Sequence, residues 1–232
     1  MNNLFNDSDT YLRSDLFDGI PKKEQIDILG SGHRGSMLSG ATLFREGEPA
    51  FRCYVVQKGR LKLTKLHEEG KEVIVRYINP GEITAAVAVF GGKRYPVTAR
   101  GVSATEVVGW NRETILRLMS EHPPLAINLL HAAVERLDDM QGRYLELYAE
   151  RVERRIGHAV LRIMRQSGRR IDTGILIDFR LSRQDLADYT GTTLYTVSRT
   201  LRNWENKGWI ASGRERVVVT DAHALVTFVE TG

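Results

Sequence analysis

Leu194, Tyr195, Ser198, Arg199 and Arg202 are the residues of this chain whose types and spacing could do chemistry on a partner. They recur at steps of one and three within LYTVSRTLRNWENKG, so on a helix they share one face. From such a face a guanidinium can grip both acceptors of a guanine edge, and a hydroxyl can bond a base or a phosphate. Leu194 and Tyr195 can lie against thymine methyl groups. Arg199 is therefore the base reader expected to carry the sharpest selectivity, with Leu194, Tyr195 and Ser198 beside it. Thr193, Thr196 and Arg202 are expected on phosphates, where contacts fix register without reading sequence.

That face is useful only if the helix is offered to a DNA major groove, and the residues before it supply the means. Ser182 and Asp185 form an S-x-x-D start signal, in which a side-chain oxygen satisfies an orphan helix amide. Leu186, Ala187 and Tyr189 give the first short helix an inward face. Gly191 stands where the chain must turn sharply, and Thr192 or Thr193 can cap the second helix. Val197, Leu201 and Trp204 recur at helical spacing, and Gly208 is placed to end the run. Ala187, Gly191 and Val197 have the small-turn-apolar spacing of a helix-turn-helix. An ordinary helical hairpin with a solvated basic face has the same local spacing, and this stretch alone leaves it open.

The charge distribution points the same way. Residues 150–232 carry 14 Lys and Arg against 10 Asp and Glu, whereas residues 1–149 carry 19 of each. All of the net charge of +4 thus lies with the candidate DNA reader. Cys53 is the only cysteine, which excludes an intramolecular disulfide and an all-cysteine iron–sulfur cluster. Its CYVV surroundings predict a buried, inert thiol on a strand. Neither a signal peptide nor a membrane-spanning stretch is evident, so a reduced, cytoplasmic protein is expected. Metal-ligand spacings, a nucleophile elbow and a phosphate-binding loop are all missing, so no catalytic or metal site is expected and an enzyme is not.

The elements in front of the reader are of another kind. After a polar lead and short helical pieces, with apolar contacts at Leu16, Phe17, Ile20, Ile26, Ile28 and Leu29, residues 40–110 alternate apolar and polar between Gly turns. That pattern predicts an all-β roll. A short helix follows over Arg112–Ser120, then a long one from about Pro124. Leu130, Val134, Leu137, Met140 or Gln141, Tyr144 and Tyr148 fall on it at steps of three and four, the seam of a helix that packs against a twin. A helix lying on its own β domain is the alternative. Beyond it come an amphipathic helix over 150–168, a strand at Ile175–Phe179, the helix-turn-helix, a two-stranded wing turning around Gly213-Arg214, and a last helix over Ala222–Val229.

In this order the chain resembles the Crp/Fnr family of dimeric transcription regulators over roughly residues 35–225. The resemblance is carried by GATLFREGEPA at 40–50, YVVQKGRLKL at 54–63, NPGEI at 79–83, VERRIG at 152–157, LSRQDLADYTGTT at 181–193 and TVSR at 196–199. It implies an α+β fold with an N-terminal jelly-roll-like sensor domain (1–122), a dimerisation helix (123–149) and a C-terminal winged helix-turn-helix (150–232). It also implies a homodimer on double-stranded DNA bearing an inverted repeat, acting as an activator with RNA polymerase as a further partner and without a membrane.

Four departures from the family shape the expectations. Cyclic-nucleotide-binding members hold the ribose with a Gly-Glu pair and the phosphate with Arg-Ser. Here Ala85-Ala86 and Tyr95-Pro96 stand in those places, so cyclic AMP is not the expected effector. The lone Cys53 excludes the iron–sulfur route of the oxygen sensors. Haem-containing members sense carbon monoxide or nitric oxide, but His33, His67, His122, His131, His158 and His223 have no spacing that marks an axial ligand. What remains around Ile83, Ala85, Ala86, Val87, Val89, Tyr95, Pro96 and Val97 is either the filling of the roll or a pocket for a small molecule or gas, and a regulator without effector is the alternative. Finally, the family's best-known reader is Glu-x-x-x-Arg, and Tyr195 replaces the Glu, so the usual half-site does not carry over.

Overall fold

The computed structural model describes residues 14–68 and 70–231. Residues 1–13, where the expected polar lead begins, lie outside the described residues. Ser14 caps a 3-10 turn at Asp15–Phe17, its Oγ accepting from the Leu16 amide at 3.1 Å. Helix α1 (Lys22–Gly30) follows directly behind Pro21. Leu16, Phe17, Ile20, Ile28 and Leu29 are buried as expected, but Ile26 is 63% exposed. The inward stripe of α1 runs through Gln25, Ile28 and Leu29, and helical geometry turns position 26 away from it.

Eight strands come next: β1 (His33–Met37), β2 (Thr42–Phe44), β3 (Arg52–Lys58), β4 (Leu61–Leu66), β5 (Glu72–Ile78), β6 (Ile83–Thr84), then helix α2 (Ala86–Phe90), β7 (Thr98–Gly101) and β8 (Thr105–Asn111). They form two four-stranded sheets, ordered β1-β8-β3-β6 and β2-β7-β4-β5. Alternation drives the inward face: β3 buries Cys53 and Val55, and β4 buries Leu61 and Leu63. The turn between them needs glycine. Gly59 has φ +79°, and a Cβ there would lie 2.1 Å from the Ala104 carbonyl oxygen. Strand β1 was not expected, because HRGSM has no apolar alternation; its long antiparallel register with β8, from His33↔Gly109 to Met37↔Thr105, holds it.

The core of this unit gathers Val55, Ile83, Val89, Val108 and Trp110 with apolar residues of the flanking helices. The Trp110 indole donates to the Ile28 carbonyl at 3.1 Å, so the largest core side chain is also hydrogen-bonded. Cys53 is fully buried, and burial pushes its thiol up to about 12. It is the inert thiol expected from its strand.

Helix α3 (Arg112–Glu121) starts on Asn111, whose Oδ1 accepts from the Thr114 amide at 2.8 Å. Helix α4 (Pro123–Ala149) has 27 residues and is about 40 Å long. Only Leu125 and Leu129 are buried in it. Leu130, Val134, Leu137, Met140, Tyr144 and Tyr148 are all exposed, from 49% at Val134 to 86% at Tyr148, and Gln141 is exposed with them. The expected seam is an uncovered apolar stripe.

By contacts the chain divides into two units. One comprises the residues before Leu66 with Arg76–Asp139; the other comprises Leu66–Val75 with the residues from Met140 onward. The second unit contains α5 (Val152–Ser167), β9 (Gly168–Ile171), β10 (Gly174–Ile177), α6 (Arg183–Thr190), α7 (Leu194–Asn206), β11 (Ile210–Gly213), β12 (Arg216–Val219) and α8 (Ala222–Thr231). Its sheet runs β11-β12-β10-β9. Strand β9 was missed because GRRI reads as polar, yet it pairs with β10 along its length. The wing turns one residue later than expected, at Arg214-Glu215. Gly213 still pairs with Arg216, and Glu215 takes the left-handed φ of 56°. No helix among the described residues is long and apolar enough to cross a membrane.

Candidate nucleic-acid interface

The turn between α6 and α7 is assembled from short-range signals. Ser182 Oγ accepts from the Asp185 amide at 2.9 Å while Asp185 Oδ2 accepts from the Ser182 amide at 3.1 Å, completing a capping box. Gly191 ends α6 with φ 64° and ψ 42°, and the Thr192 amide still reaches the Ala187 carbonyl at 3.0 Å. Thr193 then caps α7, its Oγ1 accepting from the Thr196 amide at 3.1 Å. Helix α6 buries Leu186 and Ala187, and α7 buries Val197, Leu201 and Trp204, whose ring meets Phe228 of α8 edge-on; this buried stripe fixes the rotation of α7.

That rotation decides the outer face. Leu194, Tyr195, Arg199 and Arg202 are exposed, Tyr195 by 74%, and Ser198 is half-buried beside them. Arg199 is held on this face by an ion pair with Glu153 at the start of α5, at 3.5 Å. The phosphate candidates divide. Arg202 is open to solvent, whereas the hydroxyls of Thr193 and Thr196 lie 2.9 Å apart and bond each other. Their common position at the N-terminus of α7 leaves them beside the positive end of the helix dipole.

Four contributors were not singled out from the sequence for this site. Glu205, the acid of α7, faces the wing: the Ser212 amide donates to its Oε1 at 3.0 Å, and Arg183 Nη2 donates to Ser212 Oγ at 3.2 Å. The carboxylate is thereby kept off the reading face, and α6, α7 and the wing are tied together. Arg214 and Arg216 at the wing tip are exposed cations. Glu153 is the fourth. None of these is a local pattern; each depends on residues brought together by the fold.

The roll departs further from expectation. Ile83, Ala86, Val89 and Tyr95 are buried, Ala85 and Val97 half-buried, but Val87 is 64% exposed and Pro96 is exposed. Val87 and Pro96 therefore do not line an enclosed pocket with the others. Ala85 adopts a left-handed φ of 64° as α2 begins, and the short helix that follows turns Val87 outward. Tyr95 stacks on Phe44 with ring centres 4.0 Å apart, and its hydroxyl donates to the Arg52 carbonyl at 2.8 Å. It fills the roll as a structural residue. A cationic group overlooked in the sequence lies nearby: Arg136 of α4 donates to the Ile83 carbonyl, and Arg76 pairs with Glu82 at 2.9 Å. Burial, with Arg76 adding to it, pulls the Arg136 guanidinium down to about 10. The six histidines are exposed or half-buried, and His122 Nδ1 is engaged with Glu24 at 2.8 Å. Among the described residues no group of three or more His, Cys, Asp or Glu is placed to hold a metal ion.

Known proteins share this architecture. A model of the cyclic nucleotide-binding domain matches residues 35–122, and one of the Crp-like helix-turn-helix domain matches residues 154–228. The nitrogen fixation regulation protein FixK of Azorhizobium caulinodans is 31% identical over 188 residues, covering 79% of this chain and 73% of that protein. A CRP-like cAMP-activated global transcriptional regulator of Mycobacterium tuberculosis is 22% identical, covering 92% of this chain and 95% of its own. The solved structure of FixK2 from Bradyrhizobium japonicum superposes with a TM-score of 0.75 at 22% identity, over 87% of this chain and 98% of that one.

Proposed function

The chain belongs to the Crp/Fnr family of DNA-binding transcription regulators, and from that premise we propose that it grips an inverted-repeat operator as a homodimer, with Arg199 reading a guanine in each half-site. The observation that carries this reading is the outer face of α7, where Leu194, Tyr195, Ser198, Arg199 and Arg202 stand together while Glu205 is drawn to the wing. Arg202, Arg214 and Arg216 would hold phosphates, with Thr193 and Thr196 at the helix N-terminus. The uncovered stripe from Leu130 to Tyr148 supports pairing of two α4 helices, and a symmetric pair sets its recognition helices roughly 34 Å apart. Recruitment of RNA polymerase and a place beside the DNA in the cytoplasm follow from the same reading.

Control by a small molecule or gas in the roll is the effector hypothesis. A constitutive regulator is the second reading, favoured by Tyr95 packing on Phe44 and by the outward turn of Val87 and Pro96. A haem sensor fits the residues poorly, since His122 is committed to Glu24 and His33, His67, His131 and His223 are exposed. An absorption spectrum of protein from its native host tests this, and a Soret band would restore haem.

The test of the main reading is a gel-shift titration against salt, using duplexes enriched by selection. Sequence-selective binding with a steep salt slope is expected. Equal weak affinity for all duplexes would sink it, and a selected site without an inverted repeat would overturn the dimer geometry.

A further inference from the structure

We propose that the C-terminal unit contains an anion-binding site of its own, separate from the roll, for a compact oxyanion such as the phosphate or carboxylate of a small metabolite. The site is a cavity of about 100 Å³ lined by Arg143 and Glu146 of α4, Arg155 and Arg162 of α5, and Tyr189 and Gly191 at the end of α6. Every one of these residues belongs to the same compact unit.

The charges lining the cavity do not balance. Glu146 is the acid of the lining, and it is paired with Arg162. Arg143 has found neutral partners: it donates to the Val75 and Tyr189 carbonyls and lies 4.4 Å from the centre of the Tyr189 ring. Arg155 is the least satisfied. Its Nη1 makes one long bond to the Glu150 carbonyl at 3.4 Å, and its buried Nε has no hydrogen-bond partner among the described residues. The carboxylate of Glu150, outside the cavity lining, lies 2.8 Å from Arg154, although its buried Oε2 makes no hydrogen bond among the described residues. Two guanidinium charges thus line a partly enclosed space with no acid of that space to answer them. A desolvated cation is costly unless an anion meets it, and a guanidinium meets an oxyanion best through paired N–H donors. The volume limits the guest to a few heavy atoms, and Leu147 and Ala159 in the lining leave room for a short apolar body.

Occupancy would join α4, α5 and the end of α6 at Gly191, the residue from which α7 departs. The anion would then favour one placement of the helix-turn-helix on its supporting helices. That consequence for operator affinity rests on the DNA-binding reading; binding of the anion does not.

The two are therefore measured separately. The full chain in chloride buffer is titrated calorimetrically without DNA, once with sodium phosphate and once with sodium succinate, to distinguish a phosphate site from a carboxylate site. Saturable binding of one or both is expected, weakened about thirtyfold or more by R155Q, since a buried charge partner is removed. R170Q, on an exposed strand outside the cavity, is expected to bind as the wild type does. V73W, which fills the cavity from its rim and spares every arginine, is expected to abolish binding and guards against misfolding of R155Q. The proposal is overturned if neither anion binds saturably to the wild-type chain, or if V73W binds both undiminished. A second measurement, operator affinity with and without the bound anion, reports the coupling alone.

Discussion

Arg199 lies on the outer face of α7 with its guanidinium 3.5 Å from Glu153, so the proposed reading role can be tested together with that ion pair. R199A is expected to lose roughly 1–3 kcal/mol of discrimination at one guanine of each half-site, and R199K to recover affinity without selectivity, because only the fork matches both guanine acceptors. Competition gel shifts with that guanine replaced provide the check. E153A separates restraint from charge: removing a carboxylate near phosphates should raise affinity for every duplex at low salt while narrowing the gap between cognate and substituted sites. An unchanged gap would leave Glu153 without a part in reading. In the other unit, Cys53 titrates near 9.0 ordinarily and at about 12 when folded. A raised thiol pKa favours the neutral folded form, so its contribution is whole below about pH 9 and is lost as pH rises toward 12. Thiol reagents at neutral pH should label Cys53 only after unfolding, as a colorimetric assay with and without denaturant would reveal. Arg199 was legible because one helical face displays it. Its partner, 46 positions earlier in the chain, was not, since a tertiary ion pair leaves no periodic trace.

At the scale of elements, legibility followed the range of the interactions. The capping box at Ser182, the left-handed Gly191 and the cap at Thr193 all close within a few residues, and each was readable in place. G191A tests how much the turn depends on one residue. An alanine forced to φ 64° should lower the stability of the C-terminal unit by about 1–2 kcal/mol, measured by denaturant unfolding. Strand β1 was invisible for the opposite reason. Its side chains face mostly outward, and its backbone partner β8 lies far along the chain, so neither alternation nor a turn announces it. Strand β9 and the late turn of the wing were hidden in the same way. The stripe of α4 was clear from its steps of three and four, although periodicity could not say whether a twin or the roll covers it. Exposure of Leu137 at 54% leaves it free for a twin. L137E should therefore keep the fold, sediment as a monomer where the proposed dimer of the wild type would not, and bind operator more weakly.

For the whole molecule, the division of labour is more tangled than the linear order of roll, helix and reader implies. The unit that contains the helix-turn-helix is discontinuous: it includes Leu66–Val75, the turn of the β4–β5 hairpin with the first residues of β5, along with the chain from Met140 onward. Arg143 donates to the Val75 carbonyl in that segment and to the Tyr189 carbonyl of α6, so a short piece of early chain is part of the reader's own packing. The consequence concerns inheritance. When regulators of this type exchange DNA-reading ends by recombination, a crossover within α4 moves the helices but leaves this loop of the donor behind. The recipient's loop must then suit a foreign arginine and a foreign tyrosine. Chimaeras that carry residues 66–75 with the new reader should therefore keep their operator preference more faithfully than those joined at the helix alone, and the two segments should change in concert through evolution even though most of the roll separates them in the gene.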